Sequence, residues 1–341
     1  MANIFGIQLG SKFKSTKKIE AERSSLQSDY ERFNTLAASD KLQRFQELDP
    51  LVHSGEFQKK VREYKRKEYK QSEEYHQIKE HKALSKDKDL KWYQATKRNS
   101  PFKELEKWEL TFEDDFDSAR LDSSKWMTSY YWGKALMNDS YVLAGDKQNF
   151  SDNNIELRDS MARIHLRKEE SKGKVWDTTH GFLIHPFAYS SGLISTSQSF
   201  RQKHGRFEAK IRFSSAWPLL HAFWMVGESM TPQIDIFKTS FRKNSLVECG
   251  LHTGEKEQKS SKMRKINGAK FAGNFFIYSL DWSPESLIWR INGKEVHRQT
   301  NNIPQESMYL TFSTTLPAEP KDKQVPGLME IDWVRCYRKK D

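Results

Sequence analysis

The first third of the chain has the hydrophobic and polar pattern of α-helices. No glycine or proline occurs from residue 56 to residue 84, and most positions are lysine, glutamate, arginine or glutamine. Phe57, Val61 and Tyr64 follow the i, i+4, i+7 spacing of one helix face. Phe57, Tyr75 and Tyr93 then recur every 18 residues, which is about five helical turns. This region is therefore predicted to be helical.

Two helical arrangements satisfy this pattern. One unbroken helix would keep the aromatic residues in a single stripe. Alternatively, Ser54 and Ser72 each precede acidic residues and an aromatic residue, which is typical of a capped helix start. Both arrangements predict a helical repeat or an array of helical hairpins.

The rest of the chain has the alternating pattern of β-strands. Residues 207–213, 287–291 and 329–335 alternate apolar and polar side chains with period two. Turn signals separate such runs, and Asn292-Gly293 favours a tight hairpin. Many short strands over about 230 residues predict a mainly β fold, a jelly-roll sandwich preceded by an α-helical region.

Charge and composition place a boundary between these two regions. Residues 1–100 hold 22 lysines and arginines against 15 acidic residues, out of a net charge of +11 for the whole chain. Nine of the ten tryptophans follow residue 100. We therefore predict a basic helical arm over residues 1–100 and a β domain over residues 101–341.

A run of basic residues stands out in the predicted arm, but acidic residues interrupt it. The run spans residues 59–67 and includes Glu63, with Glu68 directly after it. Nucleic-acid affinity comes largely from lysine and arginine side chains that neutralise phosphates, and the interleaved glutamates argue against a nucleic-acid partner. A solvated helix face, or a surface that contacts another protein, fits the pattern better.

Several classes of protein are disfavoured by the sequence. The longest apolar run, residues 219–226, is far shorter than the ~18 residues of a membrane span. The first ten residues lack the features of a secretory signal, so we expect a cytoplasmic location, with non-classical export or association with a particle left open. Cys249 and Cys336 are too few for a disulfide framework or a four-cysteine zinc site, and no cofactor or metal is expected.

A series of short motifs in the β region resembles glycoside hydrolase family 16. The motifs are FEDDF at 112–116, LDSSKW at 121–126, SSGLIST at 190–196, GRFEAKI at 205–211, AFWM at 222–225, HTG at 252–254, YSLDWSP at 278–284, INGK at 291–294 and the closing strand 329–337. The resemblance covers about residues 108–338 and rests on the order of these motifs along the chain, which is the same as in the family. It implies a concanavalin A-like β-jelly roll, related to laminarinases and β-glucanases, whose concave sheet holds a polysaccharide.

The resemblance also implies where a catalytic strand would lie. The family pattern there is Glu-x-Asp-x-x-Glu, whereas this chain has Gln233 and Lys238 in place of the two glutamates and retains only Asp235. Strand alternation puts positions 233 and 235 on one face, and a β-bulge would return position 238 to it. Retaining hydrolysis needs two carboxyl groups ~5–5.5 Å apart. We therefore expect this chemistry to be absent.

Further cleft residues are implied by the same resemblance. Trp132, Trp217, His221, Trp224 and His252 match regions that line the family's cleft, where aromatic faces stack on sugar rings. These five residues are the predicted ligand-binding set.

Three functions remain open from the sequence. The first is a non-catalytic module that binds a glycan or a protein partner through the cleft. The second is a structural or assembly component of a surface or phage-like particle. The third is a glycosidase with displaced carboxylates, for which Glu228 and Glu248 are the nearest substitutes along the chain.

Overall fold

The computed structural model describes residues 12–131, 141–143, 145–214, 217–239, 243, 245–254, 260–321 and 324–340. The chain divides into two compact units. The helical unit is Glu20–Trp108, and the β unit combines Met1–Ile19 with Glu109–Asp341. The fold is mainly β with a helical region ahead of it, as the sequence predicts.

The helical region contains seven described helices. They are α1 (Thr16–Ala37), α2 (Asp40–His53), α3 (Gly55–Glu63), α4 (Arg66–Tyr69), α5 (Glu73–Leu84), α6 (Lys88–Asn99) and α7 (Lys103–Glu106). The side chains of Ser54 and Ser72 accept hydrogen bonds from the backbone N–H of Phe57 and Tyr75 and so cap α3 and α5. The structure therefore has two separate helix starts there, and the unbroken helix is wrong. Within the described residues, every helix is too short or too polar to cross a membrane.

The helical unit has its own small core. Leu42, Leu90 and Tyr93 are buried, and the rings of Phe33 and Tyr93 stack with 4.6 Å between their centroids. All the basic side chains of the 59–67 run are exposed, which agrees with a solvated helix face.

The β unit is a sandwich of two sheets. Its strands are β1 (Trp108–Asp114), β2 (Gln148–Phe150), β3 (Ile155–Leu157), β4 (Ala162–Asp177), β5 (Gly181–Ser191), β6 (Leu193–Ser195), β7 (Gly205–Phe213), β8 (Leu220–Val226), β9 (Gln233–Lys238), β10 (Val247–Thr253), β11 (Ser260–Ile266), β12 (Phe276–Trp282), β13 (Leu287–Ile291), β14 (Lys294–Gln299), β15 (Tyr309–Thr315) and β16 (Gly327–Lys339). The larger sheet has the order β14-β13-β12-β7-β16-β4-β5-β2, with β1 beside β16 and β3 beside β4. The smaller sheet has the order β11-β10-β9-β8-β15-β6.

The main hydrophobic core lies between the two sheets. Phe207 and Ile211 of the larger sheet and Phe223 and Phe312 of the smaller sheet are fully buried in it. Cys249 and Cys336 are buried there as free thiols. The opposite face of the smaller sheet, which we call the outer face, carries the candidate site.

Residues 12–19 belong to the β unit, although the sequence assigns them to the helical arm. Phe13 is buried against the rings of Phe271 and Phe276, with centroid distances of 5.9 and 6.2 Å. The N–H of Lys12 donates to the carbonyl of Gly268 at 2.8 Å, and the Asn292 amide donates to the carbonyl of Lys14 at 2.8 Å. The buried apolar surface of Phe13 and these hydrogen bonds attach residues 12–19 to the sandwich.

Candidate functional site

A β-bulge in β9 brings three polar side chains to the outer face. Asp235 pairs with Trp224 of β8, but the next pair is Phe237 with Phe223, so Ile236 is an extra residue. Ile234, Ile236 and Phe237 all enter the core. The outer face therefore receives Gln233, Asp235 and Lys238, as the sequence pattern predicts with a bulge.

Asp235 is the centre of a closed hydrogen-bond network. Its Oδ1 accepts a hydrogen bond from Gln233 Nε2 at 2.7 Å. Its Oδ2 accepts from Lys238 Nζ at 3.3 Å and lies 3.1 Å from Nε2 of His252. The Asp235 side chain is only 1% exposed, whereas those of Lys238 and His252 are 23% and 27% exposed. Both carboxylate oxygens are thus occupied by neighbours from the protein itself.

The network keeps Asp235 ionised despite its burial. Burial alone would raise the pKa of this carboxyl, because a low-dielectric environment disfavours the charge. The hydrogen bond with His252, the positive charge of Lys238 and the amide of Gln233 outweigh that effect, so the pKa of Asp235 is lowered from its ordinary value. The site therefore holds one compensated carboxylate.

The neighbouring strands form regular rows with β9 across the outer face. One row joins His252 of β10, Gln233, Val226 of β8 and Tyr309 of β15. The next row joins Gly250, Asp235, Trp224 and Thr311. A Cβ at position 250 would lie 2.2 Å from the carbonyl of Lys262, so the close approach of β11 requires glycine beside Asp235.

A hydrogen bond from the other sheet fixes the backbone of β9. Trp289 of β13 is buried and donates its indole N–H to the carbonyl oxygen of Asp235 at 2.9 Å. This bond crosses the core and holds the strand that carries the network. The sequence marks Trp289 as a strand residue but contains no signal for this partner.

The predicted aromatic residues occupy different environments. Trp224 lies beside Asp235 but is only 7% exposed, because Tyr130, Phe150 and Tyr309 cover it in a second hydrophobic cluster. Its indole N–H donates to Ser313 Oγ at 3.1 Å. Trp217 is half-buried in the turn before β8. Trp132 lies outside the described residues.

The two predicted histidines lie on opposite faces of the smaller sheet. His252 is on the outer face with Asp235. His221 is completely buried on the core side, where it approaches Phe213 and its Nδ1 lies 2.9 Å from Thr314 Oγ1. The expectation that His221 lines the cleft is therefore corrected: an inward position in β8 gives it no surface for a ligand.

The two substitute carboxylates have different partners. Glu228 follows β8 and forms an ion pair with Arg201. Glu248 of β10 is the direct cross-strand partner of Lys238 and is half-buried on the outer face. Directly opposed residues of antiparallel strands have Cβ atoms ~4.5–5.5 Å apart. Glu248 is thus the second carboxylate of this region.

Arg201 and Tyr309 form an aromatic and cationic cluster with Tyr131 at the edge of the site, and the sequence does not predict these two residues there. The Arg201 guanidinium lies over the rings of Tyr131 and Tyr309, 4.8 and 5.1 Å from their centroids. Burial raises the pKa of Tyr309 well above its usual range. The alternation of β15 marks Tyr309 as an outer-face residue, but Arg201 comes from a distant loop, so no local signal joins them.

Comparisons with known proteins identify the family. The model of glycosyl hydrolases family 16 matches residues 137–335, more than half of the chain. The chain belongs to glycosyl hydrolase family 16. Its sequence is 23% identical over 265 residues to glucan endo-1,3-beta-glucosidase A1 of Niallia circulans, with 67% of this chain and 38% of that protein covered.

Two further proteins are also similar to this chain. The endo-1,3-1,4-beta-glycanase ExsH of Rhizobium meliloti is 24% identical over 255 residues, with 67% of this chain and 51% of that protein covered. The chain therefore spans between about a third and a half of the length of these curated relatives. The laminarinase catalytic domain of Thermotoga maritima MSB8 superposes with a TM-score of 0.57 at 20% identity, covering 69% of this chain and 100% of that domain. This superposition confirms the jelly-roll fold.

Proposed function

We propose that this family 16 module binds a β-linked glycan on the outer face of its smaller sheet and does not hydrolyse it. The observation that carries the proposal is the closed network around Asp235. Retaining hydrolysis needs one carboxylate as nucleophile and one carboxyl group as acid. An amide and an ammonium group occupy those positions of the family pattern, and neither is a carboxyl group that could act as the nucleophile or the acid.

The same side chains are suited to sugar hydroxyl groups. Gln233 retains its carbonyl oxygen as an acceptor, and Lys238 retains two N–H donors beyond the one directed at Asp235. His252 retains its second ring nitrogen. Trp217, half-buried before β8, is the aromatic face that we assign to stacking. This combination of fixed polar groups and an aromatic face is typical of carbohydrate recognition.

Calorimetric titration of the full chain with laminarin and with mixed-linkage β-1,3-1,4-glucan tests the proposal. We expect saturable binding that Trp217→Ala and His252→Ala each weaken about tenfold, equivalent to about 1.4 kcal/mol. Trp176→Ala is the matched control, because Trp176 is 53% exposed on the β4–β5 hairpin of the larger sheet. Its loss should leave binding unchanged.

Hydrolysis is measured in parallel as release of reducing ends. We expect none above a protein-free blank. Failure of the folded wild-type chain to bind any member of a broad glucan and galactan panel would contradict the glycan-binding proposal. That result would favour a protein partner or the structural role of the same fold.

A glycosidase with a displaced carboxylate is the second candidate, and the position of Glu248 is the observation that favours it. This side chain faces Lys238 across the β9–β10 pair, beside Asp235. If the wild type releases reducing ends and Glu248→Gln abolishes the release while binding persists, this candidate replaces the non-hydrolytic one. Glu228→Gln is the control, because Glu228 is engaged with Arg201.

A further inference from the structure

Three metal-ligating side chains converge in the helical unit, far along the chain from β9. Asp49 and His53 are four residues apart on α2 and so share one face of that helix. His81 of α5 meets them, with its Nε2 2.8 Å from Asp49 Oδ1. His53 Nδ1 lies 3.7 Å from the same oxygen. One ligand atom from each residue lies within 4.8 Å of the others.

We propose that Asp49, His53 and His81 bind a divalent transition-metal ion, for which Zn²⁺ is the best fit. Two imidazoles and one carboxylate form a donor set that zinc uses with three protein ligands and one open position. A tetrahedral ion with bonds of ~2.0–2.2 Å would need these atoms closer together than 4.8 Å, a change that side-chain rotation supplies. Imidazole nitrogens select such an ion over Mg²⁺ and Ca²⁺, which prefer all-oxygen sites.

The surroundings of the trio hold one ligand in place and leave another accessible. The imidazole of His81 stacks on Phe45 of α2, with an interplanar angle of 9° and 5.4 Å between centroids, and its side chain is only 13% exposed. The side chain of His53 is 68% exposed, so an ion can enter from solvent. The Arg44–Glu80 ion pair joins the same two helices at 2.9 Å. A bound ion would therefore add a further link between α2 and α5.

Zinc titration of the full, metal-free chain tests the proposal. We expect one Zn²⁺ per chain in calorimetry and in competition with a chromophoric chelator, together with a higher melting temperature of the helical circular dichroism signal. Co²⁺ in place of Zn²⁺ should give the visible absorption bands of a tetrahedral site. Mg²⁺ and Ca²⁺ should not compete at equal concentration.

Substitutions decide whether the trio is the site. His53→Ala and His81→Ala should each weaken zinc binding at least about tenfold. Loss of a residue that only hydrogen-bonds to a metal ligand already weakens metal affinity by about 10–100-fold, so loss of a ligand itself should cost no less. His76→Ala is the matched control, because His76 lies exposed on α5 outside the trio and should leave affinity unchanged. If an alanine variant loses its helical circular dichroism signal, zinc binding is measured instead on His53→Gln, which keeps a polar side chain.

Two results would overturn the proposal. One is a wild-type chain that fails to take zinc from the chelator at equimolar concentration. The other is zinc binding that both trio variants retain in full, since the ion would then lie elsewhere. Neither result depends on whether the β unit binds a glycan.

Discussion

Replacing Lys238 with methionine tests whether the network stabilises a buried charge. Lys238→Met keeps an unbranched side chain of similar length but removes the ammonium group that lies 3.3 Å from Asp235 Oδ2. Gln233 and His252 would remain as partners of the carboxylate. The variant therefore isolates the contribution of one cation to a carboxylate that is almost completely buried.

The structure sets the size of the expected loss. Removing one partner of a fully buried ion pair costs about 3–5 kcal/mol. Lys238 retains 23% exposure, and two other donors still compensate Asp235. We therefore expect the free energy of unfolding to fall by about 1.5–3 kcal/mol, the range for a hydrogen bond to a charged group. For a unit of this size the melting temperature should fall by about 3–12 °C.

Urea unfolding followed by tryptophan fluorescence measures this loss in the β unit, because eight of the ten tryptophans follow residue 108. A double-mutant cycle with Asp235→Asn separates charge from packing. If the charge pair is responsible, Lys238→Met should cost much less in the Asp235→Asn background. An equal cost in both backgrounds, or no cost in the wild type, would refute the assignment.

Three further predictions concern Asp235, Phe13 and the two substituted positions 233 and 238. The pKa of Asp235 is lowered in the folded chain, so the Asp235 carboxylate stabilises the fold fully above its unfolded-state pKa of ~3.9 and loses this effect as pH falls through its folded-state pKa. Asp235→Asn should therefore flatten the decline in the free energy of unfolding below about pH 4, measured by urea titration. Phe13→Ala should lower the free energy of unfolding of the β unit by about 3–5 kcal/mol. A fragment that starts at residue 108 should show a similar loss, and equal melting temperatures for the fragment and the full chain would contradict this prediction. The double variant Gln233→Glu, Lys238→Glu should release reducing ends weakly from laminarin; a folded, glycan-binding but inactive variant would show that further groups are required.

The parts of the structure that the sequence predicts are those with local signals. Ser54 and Ser72 mark helix starts because a cap needs only the next three residues. The joint placement of Gln233, Asp235 and Lys238 follows from strand alternation and one bulge, both contained within six residues.

The parts that the sequence leaves undetermined depend on contacts between distant segments. Apart from His221, the residues of β8 are apolar on both faces, so the pattern does not reveal that His221 points into the core and Trp224 away from it. The attachment of Phe13 to Phe271 joins positions more than 250 residues apart. The His53–His81 pair likewise requires α2 and α5 to meet, which no local pattern specifies.

At positions 233 and 238, stability of the fold favours groups that compensate the charge of Asp235, whereas retaining hydrolysis requires carboxyl groups. The Asp235 side chain is only 1% exposed, so its charge needs donors or cations nearby. Gln233 and Lys238 supply these, whereas two glutamates would place three carboxyl groups on one strand, with Glu248 opposite. Interacting like charges raise one another's pKa, which would help a catalytic acid but weaken the fold. Gln233 and Lys238 therefore compensate the buried charge of Asp235, and replacing both with glutamate would remove that compensation.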